Sequence, residues 1–300
     1  MKILLFITLL FILGCYKAPI NIETTLIEND GVFYTNDTNK PYSGPIFSLN
    51  DDGKKKQEGN LKDGKLNGLN KIWYKNGQLQ AEIPYDDGEI DGLNKVWYEN
   101  GPKAREVPYK NGKIDGLVIS WYENGQKLQE VTLKDGKIDG LDTFWYENGQ
   151  KKKEVRHKDG NLNGLFIDWY GNGQKSSEKF YKNNIKDSLW TNWYKNGQKK
   201  EEITYKNGKK DGLNAFWYEN GQKWTEGYYK IGKKDGLYTQ WYEHGQKMVE
   251  YTYKDGKEDG LNTFWYKNGQ KQHEYTYKDG EAILWRTWNE DGSEKKLPWQ

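Results

Sequence analysis

The sequence predicts an all-β fold, an elongated repeat array of antiparallel β-hairpins forming a twisted single sheet. Three observations predict it. Tryptophan recurs every 24 residues, at Trp73, Trp97, Trp121, Trp145, Trp169, Trp193, Trp217, Trp241 and Trp265, and each is followed by tyrosine. A fixed period of this length marks stacked structural units, none of which can bury its apolar side alone. Between successive tryptophans lie two strand-length runs, punctuated by Asn-Gly in one turn and Asp-Gly or Asn-Gly in the other, which is a hairpin pattern. Composition supplies the third observation. Hydrophobic residues make up 34% and charged residues 30%, a balance that usually gives disorder, yet 14 Trp and 23 Tyr provide large areas to bury at periodic positions.

In chain order, residues 1–14 read as a lipoprotein signal peptide. Lys2 supplies a charged start, Ile3 to Leu13 an apolar run too short to span a bilayer, and Ile12-Leu13-Gly14-Cys15 a lipobox-like cleavage site. Cys15 is the single cysteine, so it is the expected lipidation residue and leaves no thiol for a disulfide or for catalysis. The competing reading is an ordinary signal peptide with a chance cysteine. Lipidation predicts a cell-envelope location, and resemblance to lipoprotein signals implies the outer membrane in a diderm host, because Tyr16 rather than Asp follows the cysteine. Residues 15–42 are then an N-terminal anchor and cap segment, 43–280 the repeat array, and 281–300 a C-terminal cap carrying Trp285, Trp288, Pro298 and Trp299.

Within the array, Gly77, Gly101, Gly125 and their successors occupy the first turn, where φ must be positive. Gly53 lies 24 residues before Gly77, so an earlier unit with Leu49 in place of Trp begins near Ser43-Gly44. A turn with one glycine bulge gathers Leu69, Trp73, Ile83 and Tyr85 on one face and leaves Tyr74 and Glu82 on the other; a plain two-residue loop would put Trp73 with Glu82 instead. The bulged register is favoured because it assembles an apolar side in unit after unit. In the Trp169 unit the second turn reads Asn183-Asn184 and the following glycine becomes Ser188, so two permissive positions are lost together, which suggests a bend or a weaker joint, or drift without consequence.

The residues one and three before each tryptophan share a face, and in each unit one of the two is apolar, as in Phe144 with Asp142, Phe166 with Asp168 and Trp190 with Asn192. A plain solvent face needs no such quota. The candidate binding surface is therefore Tyr122, Phe144, Tyr146, Phe166, Tyr170, Trp190 and Tyr194.

The motifs Trp-Tyr-x-Asn-Gly-Gln-Lys-x-x-Glu and Asp-Gly-Lys-x-Asp-Gly resemble the MORN-repeat variant of bacterial proteins called the YwqK-type toxin–antitoxin antitoxin family, over roughly Gly31 to Gly280. The resemblance implies a β-hairpin repeat and, by the family name, an antitoxin that neutralises a partner toxin.

Enzyme chemistry finds no support. His157, His244 and His273 occupy unrelated repeat positions, with no metal-ligand spacing, no nucleophile–base pair and no P-loop. The recurrent Glu82, Glu106, Glu130 and successors are two strand spacings apart, which favours salt bridges to lysine over a metal site. No metal, cofactor or catalytic residue is expected, and a formal charge of +2 without basic blocks argues against nucleic acid. The expected function is a non-enzymatic, membrane-anchored scaffold with an unknown protein partner. The alternatives are envelope-glycan binding, through tryptophan and tyrosine rows that stack on sugars, and the antitoxin role.

Overall fold

The computed structural model describes residues 17–295, so Cys15, the signal segment, Pro298 and Trp299 lie outside the described residues. Apart from one helical turn at Ile22–Thr25, every described element is a strand. The chain divides into two compact units, the first running to Gly116 with Glu123–Gly125 added, the second comprising Leu117–Tyr122 and the residues from Gln126 onward.

The first unit opens with a cap built from aliphatic residues. Ile20–Asn21 pairs parallel to the edge strand Gly44–Leu49, and the Asn21 side chain accepts the Glu23 N–H at 3.0 Å, starting the helical turn. Ile22, Leu26, Tyr42, Ile46 and Leu61 then form one buried cluster, against which Phe33 and Leu66 pack. Gly44–Leu49 and Lys55–Lys62 form the expected early hairpin, its turn closed by Gly53 N–H to Asn50 O at 2.9 Å with Leu49 in the tryptophan position. In the second unit, hairpins such as Lys137–Trp145 with Lys151–Lys158 and Lys209–Trp217 with Lys223–Lys230 repeat one antiparallel pattern.

The turn register follows the bulged expectation, but the faces do not. Tyr74 N–H bonds Gln78 O and Gly77 N–H bonds Tyr74 O, both at 2.9 Å, with Gly77 at φ 89°. This three-residue loop pairs Trp73 with Leu79 as expected. One step on, however, Ile72 pairs with Ala81, so Gln80 is an extra residue in its strand. A single inserted residue turns every side chain beyond it to the other side. Directly opposed residues share a face. Leu69 and Trp73 therefore lie with Glu82 and Pro84, while Ile83 and Tyr85 lie with Asn70 and Ile72. The recurrent leucine is consequently exposed, at 38–49% from Leu69 to Leu261, instead of being part of an apolar core.

The second turn is a two-residue loop with both residues at positive φ, Asp159 at 50° and Gly160 at 82°. Asn183 and Asn184 adopt the same geometry at 49° and 64°, so the two-residue turn keeps its form without its glycine, while Ser188 sits at 59° where Gly164 and Gly212 take 123° and 118°. The unexpected outlier is Ile231 at φ 51°, a β-branched residue where the other hairpins place Asp or Asn.

The C-terminal segment is a decayed repeat. Glu281–Thr287 pairs with Lys271–Lys278, and Gly292 N–H bonds Asn289 O at 3.0 Å in a turn like the others. Trp288 fills the repeat's tryptophan position one residue early, while Ile283, Leu284 and Trp285 are exposed. Trp285 therefore does not close the last edge as the sequence suggested.

Candidate interaction surface

The tyrosine after each tryptophan reaches forward to the next unit. Its hydroxyl donates to the next tryptophan's carbonyl, as in Tyr74 to Trp97 O, Tyr122 to Trp145 O, Tyr146 to Trp169 O, Tyr170 to Trp193 O and Tyr194 to Trp217 O, all at 2.7–2.9 Å. The turn asparagine works at two ends. In Asn196, Oδ1 accepts the Gln198 N–H at 2.9 Å, and Nδ2 donates to Glu219 O of the following unit at 2.8 Å. His244 takes that asparagine's place, its Nε2 lying 3.2 Å from Lys267 O.

On the leucine face, a lysine links a tryptophan to the preceding unit's glutamate in most units. Lys199 Nζ lies 2.6 Å from Glu202 and 5.6 Å from the Trp217 ring centroid; Lys223, Lys247 and Lys271 repeat the arrangement with Trp241, Trp265 and Trp288. The recurrent glutamates thus pair with lysine, and no cluster of three His, Cys, Asp or Glu suited to a metal occurs among the described residues. Each pair is more than a third exposed on the lysine side and worth only a fraction of a kcal/mol, about 0.2–1.

The opposite face carries the aromatic quota. Phe166, Tyr181, Trp190 and Tyr205 follow one another with centroids 6.1, 5.0 and 4.8 Å apart. A second group gathers Tyr238, Tyr251, Tyr253 and Phe264, where burial, with Glu258 adding to it, pushes the Tyr253 phenol up to about 12. Between neighbouring hairpins, buried asparagines serve the bulges: Asn214 Oδ1 accepts the Thr204 N–H and Asn262 Oδ1 the Thr252 N–H, both at 2.9 Å. Asp142 holds the equivalent position, where burial raises its carboxyl above the ordinary range despite the bond from Gln129 Nε2 at 2.8 Å.

Of the seven predicted surface residues, Tyr122, Phe144, Tyr146, Phe166, Tyr170 and Tyr194 are partly exposed, and the four tyrosines double as the straps just described. Trp190 is 9% exposed and donates Nε1–H to Phe180 O at 3.0 Å, so its ring is spent on packing. The quota residues share their face with the strap tyrosines as expected. They do not share it with the glutamates, which the Gln80-type bulge turns to the leucine side.

The residues missed in the sequence lie around Tyr170. A groove of about 550 Å³ is lined there by Lys152, Lys153, Lys179 and Lys200, with Asp168 as the single lining carboxylate. Ser177 Oγ donates to Asp168 Oδ2 at 2.8 Å, Lys179 lies 3.7 Å from the same oxygen, and Lys153 and Lys179 flank the Phe166 ring at 5.3 and 5.2 Å. The available signal was Lys179, a charged residue where the other units place Gly, Ile, Val or Tyr.

No curated protein matches the chain. Among solved structures, that of TcdB2-TccC3 is similar at 8% identity, covering 83% of this chain and 18% of that one with a TM-score of 0.17. The chain therefore spans less than a fifth of that protein's length. The family of the MORN repeat variant matches in nine successive copies, from residues 66–87 to 258–279. Its boundaries coincide with the hairpins held by tyrosine straps and asparagine clamps, and the chain belongs to the MORN repeat variant family.

Proposed function

We propose that the chain is a non-enzymatic, lipid-anchored scaffold of the cell envelope that docks a protein partner on its leucine face. The observation that carries this reading is the leucine row. In the second unit, Leu141, Leu165, Leu189, Leu213, Leu237 and Leu261 occupy one repeat position, on one face, and each is substantially exposed. Exposed aliphatic side chains at a constant interval favour an extended partner over a small substrate. Membership of a repeat family built from short hairpins also favours binding over catalysis. Anchoring rests on Ile12-Leu13-Gly14-Cys15, and an acylated mature N-terminus on Cys15 is the mass-spectrometric result that supports it. The antitoxin role is the finer family reading. It shares the docking surface and differs only in the partner, which would be a toxin.

Crosslinking in the native envelope tests the scaffold. Replacing Leu165, Leu189 and Leu213 with Ser is expected to remove the crosslinked protein partner while the circular-dichroism spectrum is unchanged. Undiminished crosslinking by the folded triple variant contradicts docking on this face.

A further inference from the structure

The groove around Tyr170 differs from the hairpins on either side of it. In the hairpins on either side, a lysine lies over the strap tyrosine of its own unit: Lys152 Nζ is 5.6 Å from the Tyr146 ring centroid, and Lys200 Nζ is 5.6 Å from that of Tyr194. In the Trp217 hairpin the same position is Trp224, with its ring 6.1 Å from Tyr218. At Tyr170 the residue is Ser176, whose side chain is too short to cover a ring. An open aromatic platform therefore lies in a groove lined by four lysines and one carboxylate.

From this arrangement we infer that the groove binds a sugar unit bearing an anionic substituent, a uronate carboxylate or a sulfate or phosphate ester. The polarised C–H bonds of a pyranose face suit the negative face of a tyrosine ring. The Tyr170 hydroxyl is already committed to Trp193 O at 2.7 Å, which fixes the ring as a platform. Lys152 and Lys200 supply ammonium groups from the adjacent hairpins, and Ser176 supplies a hydroxyl that can donate and accept. Lys179 is drawn toward Asp168, leaving the other lysines of the groove to meet the anion. The groove's volume lies within the roughly 300–1,000 Å³ that small-ligand sites occupy. This site is distinct from the leucine face, so it stands or falls independently of protein docking there.

The experiment titrates the full chain with oligogalacturonate, with sulfated and phosphorylated dextran oligomers, and with neutral dextran oligomers, using calorimetry. At least one anionic probe is expected to bind about tenfold or more tighter than the neutral one, and the tightest identifies the anionic group. The decisive variant is Ser176→Lys, which fits the fold because Lys152 and Lys200 occupy the same position in neighbouring hairpins. It covers the platform while adding a positive charge, and affinity for the anionic probe is expected to fall at least tenfold. Lys200→Gln is expected to lower it several-fold. Stronger binding by the Ser176→Lys variant would show general charge attraction and overturn the proposal. Equal binding of neutral and anionic probes, or binding of none of them, also overturns it.

Discussion

The hairpins around Trp217 and Trp169 share a framework and differ in what covers it. In both, the strap tyrosine bonds the next tryptophan's carbonyl, the turn asparagine reaches the next turn, and a lysine pairs with the glutamate three residues on. Their exposed rows diverge. Trp224 packs on Phe216 and Tyr218 in the first, whereas Ser176 stands in that place in the second and leaves Tyr170 open. The lesson is that the recurrent tyrosine, asparagine, lysine and glutamate are spent on joining units, whereas the recurrent leucine stays exposed. Chemical individuality is confined to positions whose side chains the joints do not use.

Breaking the shared framework should have the largest effects. Asn214→Ala leaves the half-buried Thr204 N–H without its acceptor and empties a buried side-chain site, and a loss of about 2 kcal/mol in urea unfolding is expected. A loss under a few tenths would mean that the bulge does not depend on this side chain. Tyr170→Phe and Tyr218→Phe each remove one bond to the following unit, and each should cost about 1 kcal/mol. Near equality of the two is the sharper test, because it shows that the open hairpin is joined as firmly as the covered one. The remaining prediction reverses the sequence's suspicion about the second turns. Ile231 is left-handed without the tolerance that Asn has for this conformation, so Ile231→Asn should raise stability by about 1 kcal/mol, while Asn184→Gly, at the position where this unit lost its glycine, should shift it much less.

Much of this fold was legible in the sequence for a simple reason. Glycines and aromatics at a 24-residue interval constrain local turns, and turns are decided by neighbours in the chain. The early unit at Leu49 and Gly53 was readable on the same basis. The faces were not, because the extra residue at Gln80 leaves no compositional mark: position 80 holds Gln, Ala104, Leu128, Lys152 or Trp224 in different units. Leu69 therefore read as core and is exposed. Trp190 was read as a docking residue because its apolar character was visible, while Tyr181 and Tyr205, which close over it, come from other strands. The groove was obscured similarly. Ser176 is unremarkable until the lysines of the two adjacent hairpins are seen at its sides.

The central claim is that neighbouring 24-residue units are joined by the same set of bonds, so that one unit can be exchanged for the next. Deleting residues 186–209 removes one whole unit and brings Tyr170 to the carbonyl of Trp217 in place of Trp193. Deleting residues 186–197 leaves half a hairpin and no partner in register. Urea unfolding followed by circular dichroism should show a cooperative transition for the 24-residue deletion at nearly the parent midpoint, and a broad or lost transition for the 12-residue deletion. Equal loss in both variants would contradict the account.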